Sequence, residues 1–219
     1  MEDVTFDGAE GERRGPVVVA GVLTVGLPFI MPEFFRNDTG MGLAGLQLVL
    51  LIAMFVLDPG RIDRRSRPVH LVRLALVASL AVGAAVSAMR MVWLIVERRR
   101  GTSSARDLLW AGGLVWVHLV LAFAFLLWEM DGGGPGERVH RAPGPADLGF
   151  PQQDDPQRWP GWRPVFVDYP HVAATGAISF SPADVVVLSH RAKAATFLLS
   201  ASSLAILGLV VASAVNLLS

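Results

Sequence analysis

Long apolar runs alternate along the chain with short charged ones, and this alternation predicts the elements. Predominantly apolar runs cover about 16–31, 41–57, 69–96, 108–128 and 194–217. A bilayer's hydrocarbon core needs ~20 helical residues to cross, so five membrane-spanning helices are expected. The first run is short; Pro16 suits an early helical position, whereas Pro28 and Pro32 kink or end a helix. The last is uncharged for 26 residues, from Ala194 to Ser219. Between 165 and 184 lies a stretch of apolar, small and hydroxyl residues that is too short to cross alone. Segments of that size are re-entrant, interfacial or buried, and non-helical backbone survives at membrane depth only inside protein or beside a water-filled cavity. A short helix is expected at about 167–178, with Pro170 tolerated in its first turn. Short segment, basic turn and full span together fit either a pore loop with its inner helix or an amphipathic surface segment before an ordinary span.

The polar segments divide the chain. Residues 1–15 carry five acidic and two basic side chains and read as a flexible tail. Residues 33–40 form an interfacial turn with Phe34 and Phe35 at belt level. Loops 58–68 and 97–107 each carry four Arg. From 129 to 164 Gly and Pro are dense and apolar periodicity vanishes, which predicts an extramembrane loop, with Trp159 and Trp162 returning the chain to the headgroup region. The expected fold is therefore all-α and polytopic: a tail (1–15), a three-helix region (16–107) and a C-terminal unit (108–219). That unit comprises an outer helix (108–128), the Gly/Pro-rich loop, a re-entrant segment (165–184) and an inner helix (194–217).

Sidedness follows from arginine counting. With the N-terminus inside, the inner segments hold ten Arg and the outer ones five, and positive residues favour the cytoplasmic side. Within the spans, Arg90 is placed to snorkel to the surface or to pair inside, and His118 to hydrogen-bond a neighbouring helix. Glu129 and Asp131 read as the aqueous end of the fourth span, or as a cation-attracting mouth. Asp168 is expected to cap the short helix by accepting its free N–H groups. Asp184 is either a turn residue or a charge ring at a pore entrance. In the last span Ala201, Ala205, Gly208, Ala212 and Asn216 recur at three and four residues, a small-residue face suited to close helix packing within the chain or between copies. Gly208 on that face is also a candidate bending point.

Composition narrows the function. At 219 residues, 53% hydrophobic with mean hydropathy +0.49, the chain is too apolar for a soluble domain. Its formal net charge is zero, so nothing points to nucleic acid. It has no cysteine, which removes disulfides, thiolate metal sites and cysteine nucleophiles together. Gly132-Gly-Gly-Pro lacks the Lys-Ser/Thr of a phosphate-binding loop, and no Ser, His and acid are grouped for catalysis. No enzyme, cofactor or metal site is expected. The absence of internal or inverted repeats disfavours a small transporter.

Asp168-Tyr-Pro-His-Val-Ala-Ala-Thr-Gly-Ala-Ile-Ser-Phe-Ser-Pro-Ala-Asp184 resembles the pore segment of pore-loop potassium channels. The two acidic residues bracket the same 17-residue window as in that family. Ser179 stands for the family's Thr, Phe180 for its Val and Asp184 for its closing Asp, while Ser181, Pro182 and Ala183 replace Gly-Tyr-Gly. The same C-terminal region, with Trp128-Glu-Met-Asp-Gly-Gly-Gly-Pro135, is similar to a group of uncharacterised bacterial membrane proteins with a Phe-Ser-Pro-x-Asp signature. The resemblance implies a homotetramer in a bacterial plasma membrane, with lipid as its surroundings and monovalent cations as candidate cargo. Its filter-like residues would be Thr175, Ser179, Phe180, Ser181, Pro182 and Asp184. It also implies a re-entrant loop entering from outside, opposite to the side the arginine count assigns. Without glycines, and with Pro182 fixing φ near −65°, the carbonyls of 179–184 do not form a potassium filter. Two function classes remain foremost: a weakly selective cation channel, and a non-conducting interaction or assembly protein with the same fold.

Overall fold

The computed structural model describes residues 11–63, 66–97, 104–141, 144–179, 181 and 184–218, with the backbone alone at 216–218. Its large helices are α1 (Arg14–Ile30), α2 (Asp38–Leu57), α3 (Arg67–Val96), α4 (Ala105–Met130), α7 (Asp168–Ser179) and α8 (His190–Leu218). Between α4 and α7 lie α5 (Pro135–His140), β1 (Leu148–Gly149) and α6 (Pro151–Asp154), and β2 (Val186–Val187) precedes α8. Among the described residues four helices are long and apolar enough to cross a membrane: α2, α3, α4 with its extension, and α8. The expected count of five is corrected to four plus α1. At 17 residues α1 is shorter than the others, with Pro28 inside it and Met31-Pro32 extended beyond its end. The chain is an all-α, polytopic membrane protein.

Local chemistry sets the helix ends. Asn37 caps α2 by accepting Gly40 N–H at 2.8 Å. Ser104 and Asp107 form a reciprocal capping box at the start of α4. At the far end of α4, Gly132, Gly133 and Gly134 take φ of 63°, 83° and 96° in succession. Only glycine adopts such angles without strain, so this run lets the chain reverse at the membrane surface.

The packing centres on α4. Of its apolar window 61% is buried, against 22% for α2, because α4 touches α1, α3, α7 and α8 while α2 lies at the periphery. The core runs along α4 through Val115, Leu119, Ala122, Phe125 and Trp128, and at its loop end Trp128 meets Phe125 and Phe166 edge to face while those two rings lie tilted against each other. On α8 the inward face is Ala192, Ala195, Leu199, Ser203, Ile206, Val210 and Ala214, a helical repeat of three and four. Helices α4 and α8 meet closely at Gly112, where a Cβ would stand 2.7 Å from both methyl groups of Val210.

Among the described residues, the connections put Glu12, the α2–α3 loop around Ile62 and the connection from α4 to the start of α7 at one end of the bundle. Glu12 and Ile62 exchange backbone hydrogen bonds there, and His140 reaches Asp63 O. At the opposite end Arg90 donates to the carbonyls of Phe34, Phe35 and Arg36 at 3.2, 2.7 and 3.1 Å, so this arginine fastens the α1–α2 connection rather than simply reaching for water.

The contact at Gly112 generates a test. Replacing Gly112 with Ala should separate α4 from α8 and cost about 1–3 kcal/mol, the usual range for overpacking. A thermal unfolding midpoint in detergent equal to that of the unaltered protein would show that the two helices do not meet at this point.

Candidate functional site

Helix α7 enters the bundle beside the start of α8 and runs in the same direction. Its small and aromatic face, Tyr169, Val172, Ala173, Gly176 and Ala177, is buried against α4 and α8. At 1.5 Å per residue its 12 residues descend about 18 Å. Its end lies level with Ser200 and Ser203, close to the middle of α8. The chain then returns to the entry side, since Val186 and Val187 pair antiparallel with Gly149 and Leu148. Seven residues span Ser179 to Val186 and reach at most about 24 Å when extended, enough for the way back. The segment is therefore re-entrant, entering from the end that holds Glu12.

A helix ending at that depth leaves carbonyls without intrahelical partners. Here α8 supplies donors. Ser200 Oγ donates to Gly176 O at 2.9 Å and Ser203 Oγ to Ala177 O at 2.7 Å. Ser203 in turn accepts Trp116 Nε1–H of α4 at 2.8 Å, so three helices meet in one buried polar chain. Thr175 Oγ1 donates back to His171 O and Ser179 Oγ to Thr175 O, which leaves neither hydroxyl free as a donor. Beyond the helix Ser179, Ser181 and Asp184 are exposed. Phe180, Pro182 and the side chain of Asn216 lie outside the described residues. Asp168 opens the helix itself; its Oδ2 accepts Val165 N–H at 2.7 Å, so it orders the preceding turn instead of capping the helix's free N–H groups. Burial raises its pKa, against the hydrogen bond from Val165. Gly208 and Ala212 face outward, as do Ala201 and Ala205. A Cβ on Gly208 would meet nothing within 4 Å, so the small-residue face does not pack within the chain.

A knot of buried polar groups holds the entry end together. Asp131, expected in water, is 2% exposed and accepts Tyr169 O–H at 2.8 Å and the amides of Asp147 and Leu148 at 2.9 and 3.2 Å. Arg138 donates to Trp128 O and Asp131 O at 2.6 and 2.7 Å, and its guanidinium lies over the Tyr169 ring. Arg191 binds Asp147 through two nitrogens. Burial alone would raise the Asp147 pKa, but hydrogen bonds from Arg191, Ser189 and the Gly132 amide outweigh it and hold the carboxyl below its ordinary 3.8. Glu12, assigned by sequence to a flexible tail, is buried and accepts Trp128 Nε1–H at 2.9 Å and the Phe166 amide. Its pKa is raised, chiefly by burial.

Beside this knot Glu129 is also buried, paired with Arg73 Nε and His70 Nδ1, each at 3.1 Å. It too was expected at the aqueous end; Arg73 and His70 hold its carboxyl group away from water. His118, expected to hydrogen-bond across helices, is 2% exposed with no partner on either ring nitrogen. It shares a layer with Gln47 around Gly83, where a Cβ would stand 2.9 Å from Gln47 Nε2 and 3.4 Å from His118 Cε1. Among the described residues no group of three or more His, Asp and Glu is placed to hold a metal ion.

The pairings of Tyr169, Asp131, Arg138, Asp147 and Arg191 escaped sequence reasoning. The available signal was the Trp128–Pro135 motif, in which two acids directly adjoin an apolar run. With this geometry in place the chain is a multipass α-helical membrane protein with a re-entrant helix. No protein-family model, curated protein or solved structure matches it.

Two outcomes test the knot. Tyr169→Phe leaves one oxygen of Asp131 without its buried donor and should cost about 1–3 kcal/mol of unfolding free energy. Arg191→Ala should destabilise at neutral pH, and the difference from the unaltered protein should vanish in acid. Because the Asp147 pKa is depressed on folding, its contribution is present above 3.8 and is lost as pH falls through the lower folded value. A difference between the two proteins that stays constant from pH 7 to pH 3 would contradict this pairing.

Proposed function

We propose that this chain is a subunit of a pore-loop-like assembly in the bacterial plasma membrane, without catalytic activity, that passes small hydrated monovalent cations with weak discrimination. One observation carries the reading. Helix α7 ends level with the middle of the spanning helix α8, the described residues that follow it, Ser181 and Asp184, are non-helical, and Ser179 and Ser181 are exposed on the single chain. Lipid does not tolerate exposed irregular backbone at that depth, so another copy or a water-filled path must cover it. The outward small-residue face of α8, with Gly208 and Ala212, lies on the helix against which α7 packs and suits close approach of a second copy. One loop per chain makes a closed homotetramer the simplest ring, as in the family the segment resembles. Ser179 and Ser181 would then line the path and Asp184 its mouth. Hydroxyls and carboxylates hold ions partly hydrated, which separates potassium from sodium poorly.

A second reading, a non-conducting interaction or assembly protein of the same fold, is favoured by a separate observation. Ser200 and Ser203 occupy the carbonyls that would otherwise direct the negative end of α7 toward an ion.

Detergent mass and cation flux in liposomes distinguish the readings. The channel reading expects an oligomer, flux with little preference between potassium and sodium, weaker preference for cations over anions in Asp184→Asn, and loss of the oligomer in Gly208→Leu. A strict monomer, or strong potassium selectivity, overturns it. An oligomer that is silent under every condition assigns the second reading.

A further inference from the structure

Independently of conduction, the loop end carries a cavity of about 630 Å³ between α3, α4 and the start of α8. Its wall divides by chemistry. One part is basic, with Arg67, His70 and Arg191; the other is apolar, with Leu74, Val77 and Leu126. Leu74 at its edge is 43% exposed on the face of a spanning helix, so the cavity opens sideways toward lipid as well as toward water. Arg73 also lines it, 3% exposed, and its Nη1 has no hydrogen-bond partner although its Nε is held by Glu129. A buried guanidinium with an unmet donor costs free energy unless an acceptor reaches it. Glu129 does not meet that donor, because it contacts Arg73 through Nε and is held on its other side by His70 Nδ1.

We propose that this cavity binds the headgroup phosphate of an anionic glycerophospholipid. Phosphate oxygens accept from Arg73 Nη1 and from Arg67, and the first methylenes of an acyl chain lie along Leu74, Val77 and Leu126. Basic pockets between membrane helices at the interface are suited to such headgroups. The division of the wall selects an amphiphile over a free anion: phosphate alone leaves the apolar half unfilled, and a hydrocarbon alone leaves Arg73 unmet. The wall carries two acids, Glu129, which is paired with Arg73 and His70, and Glu137, which is engaged within the protein; against them stand Arg67, Arg73 and Arg191.

The test uses the full chain in detergent, titrated with phosphatidylglycerol, with phosphatidylcholine of the same chain length, and with glycerol 3-phosphate. Retained lipid is read by native mass spectrometry and stability by thermal unfolding. Phosphatidylglycerol should bind and raise the unfolding midpoint, with phosphatidylcholine and glycerol 3-phosphate each at least about tenfold weaker, the ratio expected for one charge-assisted contact or a few buried methylenes. Arg67→Gln, at an exposed position safe for folding, should remove the preference for phosphatidylglycerol. Leu74→Trp should fill the apolar half and weaken both lipids while sparing oligomer size. Equal binding of the two lipids overturns the proposal, as does glycerol 3-phosphate that matches phosphatidylglycerol and ignores Leu74→Trp. No outcome depends on whether the assembly conducts.

Discussion

In lipid, each polar group of the backbone must find its partner inside the protein, and the C-terminal half is built around that constraint. Helix α7 stops halfway through the bundle, where water cannot finish its hydrogen bonds. Two serines one turn apart on α8 finish them instead, and one of these is itself engaged by Trp116 of α4. The outer, re-entrant and inner helices are thereby tied by directional bonds as well as by apolar packing. Apolar packing alone discriminates weakly here, because lipid tails are as apolar as the side chains.

The same constraint explains the entry end. Charges that hydropathy places in water are folded inward as the Gly-rich turn reverses the chain: Asp131 onto Tyr169, Arg138 under the α4 terminus, Glu12 onto Trp128. Each closes a contact between segments far apart in sequence, so α1, α4, α5 and α7 are held in one register. Such networks define geometry more than they add stability, since the desolvation of each ion offsets much of its attraction. The geometry they define is the position of the re-entrant segment. The loop from 131 to 189 is therefore part of the scaffold, although its composition would not let it fold alone.

The two proposals rest on groups at the edge of this network. Ser179 and Ser181 are exposed at the inner end of α7, and Arg73 keeps one unmet donor in its cavity. In the proposed assembly another copy or water covers the first, and the proposed acidic headgroup meets the second. A tension remains between the arginine count, which assigns the entry end to the cytoplasm, and the pore-loop resemblance, which assigns it to the outside. The fold sharpens it, because Glu12 and the start of the re-entrant segment share that end. Either the loop enters from the cytoplasmic face or this chain departs from the positive-inside rule.

Hydropathy by itself determined the helices. The six expected segments, including the short one before the basic turn, coincide with α1–α4, α7 and α8 within a few residues, because membrane helices are specified by length and apolarity along the chain. It also marked the small-residue face of α8, though not which way that face points. Tertiary structure decided everything that depends on which residue meets which. It turned Gly208 outward and made Gly112 the close contact, since a glycine's environment comes from the neighbouring helix and not from its own. It buried Glu129 and Asp131 although each adjoins a polar loop, because their partners, Arg73 and Tyr169, lie 56 and 38 residues away. Periodicity reports only the face of a helix, whereas a polar group's fate in a membrane is set by a partner that local sequence does not contain.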